Sequence, residues 1–198
     1  MHDWKKIASK IGPLRYQMSD SDCVPTTIVN AMLFLLQRRL HPRLLSMLWH
    51  ISVETKSGSG WVTCQLLSDT LNSWFLRAHL DGNEKGVLPF KSKIIEGDAA
   101  HLERNNSLAR SINIGGVCCL TVNDGKHYVL LHATNGRQFL AFDPYWCRKL
   151  SSTASQQRYK EYFGLVNASY TRDELASELE NGNNKWIHII APITQLRE

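Results

Sequence analysis

Apolar residues run almost without a break from Ile28 to Leu36 in the stretch CVPTTIVNAMLFLLQRRL. A helix with so little polar surface is buried on most sides, so this segment reads as a central helix. Pro25 falls in its first turn, where a missing N–H is tolerated. Basic residues follow its last apolar positions, where cations suit the helix dipole. A second helix is expected to start near Pro42, in HPRLLSMLWHISVE. The stretch SGSG at 57–60 reads as a loop, and WVTCQLLSDTLNSWF as a third helix over 61–74. Within 81–115 the pattern is weaker, and GDAAHLERNNSLARSI suggests a helix beginning near Asp98.

After Gly116 the period changes. GVCCLTV, HYVLLHAT and QFLAFD are short, apolar and β-prone, and the turn signals NDGK and NGR separate them. They predict an antiparallel meander. TRDELASELEN at 171–181 reads as a helix, with Thr171 as cap and Glu174 three residues on. KWIHIIAPI at 185–193 alternates like a closing strand. Helices come first and sheet second, which predicts an α+β fold.

Length and composition narrow the classes. With 198 residues, 43% of them hydrophobic, the chain is long enough for a real core and suggests one domain over 1–198. The formal charge is +5, but the basic residues stand in separate clusters, with no stripe interleaved with aromatics. Nucleic-acid binding is therefore disfavoured. No apolar run is long enough to span a membrane, and the charged start, MHDWKKIASKIG, has no apolar core of a signal peptide. A cytoplasmic protein is expected, with no membrane partner. Five cysteines cannot all pair within the chain, and no His/Cys spacing suggests zinc. Reduced thiols and no cofactor or metal are expected.

The candidate chemistry starts at Cys23, the residue that opens the central helix. Helix N-termini favour a thiolate. A nucleophilic thiolate needs a base in reach, the base needs an acceptor to orient it, and acyl chemistry needs donors for an oxyanion. Gln17 lies six residues before Cys23 and could return an amide beside the thiol. His127 opens a predicted strand just after NDGK, and Asp143 ends the next one. If 127–134 and 137–143 form a hairpin about NGR, His127 and Asp143 become cross-strand neighbours.

YQMSDSDCVPTT, GKHYVLL and AFDPYW, in that order, resemble the peptidase C39-like family of bacterial cysteine peptidases, on the papain-like fold. The resemblance spans about residues 14–146. It implies Cys23 as nucleophile, His127 as general base and then acid, Asp143 as the residue orienting the imidazole, and Gln17 with the Cys23 N–H as the oxyanion hole. It makes a peptide or protein substrate the leading expectation. Val24-Pro25 departs from the glycine that often follows the cysteine in papain-like enzymes.

Other residues read more plainly. Cys64, Cys118 and Cys119 lie inside apolar patterns and are expected in the core, and Cys147 is expected to be structural. His132 stands an odd number of steps from His127, so the two should face opposite sides of the sheet. His188 reads as a packed strand residue, Asn123 and Asn135 as turn residues, and Asp20 and Asp22 as helix caps. Tyr145 and Trp146 are candidates for a cleft wall. Three reactions use the same residues: peptide hydrolysis, deamidation of a glutamine side chain and acyl transfer to an amine. A non-catalytic peptide-binding module on the same fold is the reading from another class.

Overall fold

A computed structural model describes residues 2–52, 59–80, 90–96, 107–123, 125–145, 159–181 and 186–192. The expected helix start near Asp98, part of the SGSG loop, and Trp146 and Cys147 lie outside these residues. Four helices come first: α1 (Trp4–Ile11), α2 (Cys23–Leu36), α3 (Pro42–Ser52) and α4 (Trp61–Leu80). Strand β1 (Phe90–Glu96), helix α5 (Ser107–Asn113) and strands β2 (Val117–Val122), β3 (His127–Thr134) and β4 (Phe139–Phe142) follow. Strand β5 (Ala168–Tyr170), helix α6 (Arg172–Asn181) and strand β6 (Trp186–Pro192) complete the order. The architecture is α+β, as expected.

The six strands form one sheet in the order β1-β6-β2-β3-β4-β5, with every neighbouring pair antiparallel. Helices cover both of its faces. Val117, Cys119, Tyr128 and Leu130 pack with α2, α3 and α4, while Cys118, Leu120, Val129 and Leu131 pack with α5 and α6. Alternate residues of one strand thus enter two different cores, which is why the strands read as continuous apolar runs. Cys64, Cys118 and Cys119 are fully buried core thiols, as expected.

Helix α2 is the axis of the larger core, with every residue from Cys23 to Leu35 buried. Three polar side chains lie buried in it, Thr26, Thr27 and Asn30, and the last two are tied down. The Thr27 hydroxyl donates to the Tyr128 carbonyl of β3 at 3.0 Å. The Asn30 amide accepts from Arg15 N and donates to Arg15 O, both at 2.8 Å. These bonds fix α2 against β3 on one side and against the incoming loop on the other. In α6 the expected capping box is present: Glu174 N donates to Thr171 Oγ1 at 3.2 Å, and Thr171 N to Glu174 Oε2 at 2.6 Å.

Two expectations need correction. Asp22 occupies the position before α2, but its carboxylate does not cap the helix. The third helical residue is Pro25, which has no N–H to give. The carboxylate accepts instead from Met18 N at 3.0 Å and Ser19 N at 2.9 Å, folding the preceding loop back on itself. Asp20 is exposed and is not at the cap position. The opposite-face expectation for His132 also fails. His132 continues the alternation of Tyr128 and Leu130 and faces α2. It is His127, at the first position of β3, that departs from the alternation to reach Cys23. The β3–β4 register jumps only between Leu131 and Ala133. The His132 ring packs edge-on to Phe34 of α2, with centroids 4.5 Å apart, and to Trp4 of α1 at 5.9 Å. Both histidines of β3 therefore look toward helix α2.

The sequence reading also passed over α1, β1 and β5. Helix α1 carries a narrow stripe of Trp4, Ile7, Ala8 and Ile11, spaced for one helical face. In β1 the inward positions include Ser92, a polar residue that breaks the apolar alternation.

Two outcomes are expected in denaturation. Thr27→Val keeps the shape but leaves the buried Tyr128 carbonyl unpaired, and should destabilise the protein by about 1–3 kcal/mol in urea titrations. Burial holds His132 down to about 3 from its ordinary 6.5. A histidine depressed on folding contributes stability above its unfolded pKa and loses it as pH falls, here from 6.5 toward about 3. In His132→Phe, the fall in unfolding midpoint between pH 6.5 and 4 should be shallower than in the wild type.

Candidate active site

The site is assembled where the first turn of α2 meets the open end of the β3–β4 hairpin. Cys23 is the first residue of α2 and is 8% exposed. His127 is the first residue of β3, and Asp143 directly follows β4. The paired register runs as far as Leu130 opposite Phe142, so His127 and Asp143 meet just beyond it. His127 Nε2 lies 2.6 Å from Asp143 Oδ1, the length of a charge-assisted hydrogen bond. The Cys23 thiol is the ring's other side-chain partner, which leaves Nδ1 for it. The hairpin reasoning from sequence brings these two residues together as expected.

Asp143 is itself held from three sides. Asn167 accepts from Asp143 N and donates to Asp143 O, both at 2.7 Å. Tyr145 N donates to Asp143 Oδ1 at 2.8 Å. Asn167 gives the sequence no signal of this role, because it stands outside any pattern. Asn30 did carry a signal: an amide inside an apolar helix requires partners. Tyr145 meets the His127 ring edge-on, with centroids 6.0 Å apart.

Electrostatics favour the charged imidazole. Burial alone would lower the pKa of His127, but the hydrogen bonds to Asp143 and Cys23 outweigh it and hold the ring up at about 9.

Gln17 stands apart from this pair. Its backbone N–H donates to Pro144 O at 2.8 Å, which ties the loop before α2 to the residue after Asp143. Its side-chain Nε2 donates to Ser19 O at 2.9 Å, and it does not line the cleft.

The cleft has a volume of about 590 Å³ and passes Cys23 and His127. Val24, Trp61, Val62 and Trp186 supply apolar wall, and Asp20 and Lys126 supply opposite charges. Under the floor, Cys64 meets Tyr128 and Trp186, and burial pushes its thiol up to about 12. Cys64 is therefore a neutral core thiol beside the site. His188 is fully buried and bonds to Ser92 Oγ, as a packed strand residue does. Asn123 and Asn135 sit in turns, as expected. Among the described residues, no group of three or more His, Cys, Asp or Glu is placed to hold a metal ion, and no helix is long and apolar enough to cross a membrane.

No family model matches the chain, and no curated protein matches it. Among solved structures, the chain is similar to the peptidase domain of Streptococcus ComA, a bi-functional ABC transporter involved in a quorum sensing pathway. The identity is 15% and the TM-score 0.49, over 91% of this chain and 98% of that one. It is also similar to a double glycine motif protease from an AMS/PCAT transporter, solved with the leader peptide, at 13% identity and TM-score 0.49 over 91% of each chain. Both neighbours are described as peptidases. At these identities and scores the likeness concerns the course of the chain, and says nothing of its chemistry.

The expected titration follows from the geometry. With its pKa raised above 6.5, His127 contributes stability that is complete below pH 6.5 and is lost as pH rises through about 9. Asp143→Asn removes the charge that holds the imidazolium. By NMR of the ring protons, the His127 midpoint should lie near 9 in the wild type and fall toward 6.5 in the variant.

Proposed function

We propose that the protein is a thiol hydrolase acting on amide or peptide bonds, with Cys23 as nucleophile and His127 as its base and acid. The observation that carries this reading is the 2.6 Å bond from His127 Nε2 to Asp143, with the other face of the ring on a cysteine at a helix N-terminus. An imidazolium beside a thiol favours the thiolate, and the dipole of α2 acts in the same sense.

In the reaction proposed, the Cys23 thiolate adds to the substrate carbonyl. The tetrahedral oxyanion is met by the N–H of Cys23 at the start of α2. Nδ1 of His127 gives its proton to the leaving nitrogen, the C–N bond breaks, and a thioester remains on Cys23. His127 then takes a proton from water, hydroxide adds to the thioester, and the acid leaves as the Cys23 thiolate is expelled, which restores the thiolate–imidazolium pair. Asp143 holds the ring so that one nitrogen serves every proton transfer. The mixed cleft wall, apolar at Trp61 and Trp186 and polar at Thr63 and Lys126, suits a peptide better than a small apolar acyl group.

The test is the pH dependence of Cys23 alkylation, followed by mass spectrometry. Wild-type Cys23 should be alkylated in the folded protein near neutral pH, and His127→Ala should lose that reactivity. In peptide-hydrolysis assays Cys23→Ala should be inactive, and His127→Ala slowed by roughly 10²–10⁴-fold. A Cys23 that reacts only on unfolding, in both proteins, would overturn the reading.

A further inference from the structure

The end of α2 away from Cys23 carries a second surface. Residues 23–53 contain no aspartate or glutamate, although α2 and α3 together hold Arg38, Arg39 and Arg43 in or beside them. The fold gathers these cations where α2 turns into α3. Gln37, in the left-handed conformation, makes the turn, and Lys10 of α1 reaches it with a 3.2 Å hydrogen bond to its side chain. Between the two helices and α4 lies a cavity of about 360 Å³. Leu36, Leu40, Leu44 and Trp74 form its apolar wall, and Arg38 and Arg39 stand at its rim.

The charge there exceeds what the helices need. Arg38 and Arg39 follow the C-terminus of α2, where the dipole suits them. Arg43 sits in the first turn of α3, where the dipole opposes it. Arg38, Arg39 and Arg43 are exposed, and among the described residues none of them pairs with a carboxylate. From Cys23 to Leu36 α2 spans roughly 20 Å, so the surface is separate from the cleft.

We propose that this surface docks an acidic peptide segment, which seats one bulky apolar side chain in the cavity while flanking carboxylates pair with Arg38 and Arg39. Guanidinium groups take carboxylates in a bidentate fork. The cavity is of side-chain size and apolar, and it distinguishes an acidic peptide from a plain polyanion. The proposal does not depend on the chemistry at Cys23.

The probe is a fluorescein-labelled dodecapeptide of glutamates with a central leucine, followed by anisotropy against the full chain. Three comparisons go with it: the same peptide with glycine for leucine, the same with lysines for glutamates, and a labelled dT12 oligonucleotide. The acidic leucine peptide should bind, more weakly as salt rises, and the glycine and lysine peptides should bind at least roughly tenfold less tightly. Charge reversal in Arg38→Glu/Arg39→Glu, at exposed positions that leave the core intact, should weaken it by a similar factor. The variant's far-UV dichroism should match the wild type, and Cys23 alkylation should be unchanged. Absence of binding, binding indifferent to the reversal, or equal binding of the glycine peptide would overturn the proposal. Tighter binding of dT12, lost in the same variant, would overturn it in favour of nucleic acid.

Discussion

The candidate site depends on one contact made in the dry interior, the hydroxyl of Thr27 on the backbone carbonyl of Tyr128. Thr27 stands one helical turn beyond Cys23, and Tyr128 adjoins His127. The bond fixes how far along β3 helix α2 may slide, and a slip of one turn would move Cys23 by about 5.4 Å. A hydrogen bond in this setting is modest in net energy but expensive to leave unmade. Position at the site is therefore set by the core and not by surface loops. Around it, the Asn30 and Asn167 amides do the same for the loop carrying Gln17 and for the backbone of Asp143.

What could be read from the sequence were features with local causes. The apolar run from Ile28 to Leu36, broken only at Asn30, marks α2 because a helix that apolar can only be central. The turns NDGK and NGR set the hairpin, and the hairpin brings His127 to Asp143. The Thr171–Glu174 capping box is visible for the same reason. Features with distant causes were not legible. His127, at the first position of β3, departs from the alternation that follows it to reach Cys23, and nothing local announces it. Asp22 reads as a cap until Pro25 is placed as the third helical residue, which leaves it no donor there. Six residues separate Gln17 from Cys23, but spacing says nothing of where a loop amide points, and this one points to Ser19.

The double covering of the sheet explains other readings. An antiparallel sheet with a wet face alternates buried and exposed residues along each strand, whereas β2, β3 and β6 are buried almost throughout. Adjacent Cys118 and Cys119 look like a pair in sequence, yet they enter opposite cores. Polar groups between the two layers need partners there, and two of them, His188 and Ser92, are joined to each other in the interior.

Strand β3 carries two imidazoles in contrasting surroundings, one held up at about 9 by Asp143 and Cys23, the other held down at about 3 by its hydrocarbon setting. Histidine is the side chain that ordinarily changes charge near neutrality. On this strand neither does. Between roughly pH 4 and 8 the first keeps its proton and the second stays without one. The strand is thus electrically silent across the range in which cells vary, and a drift in acidity leaves the field at Cys23 from β3 unchanged.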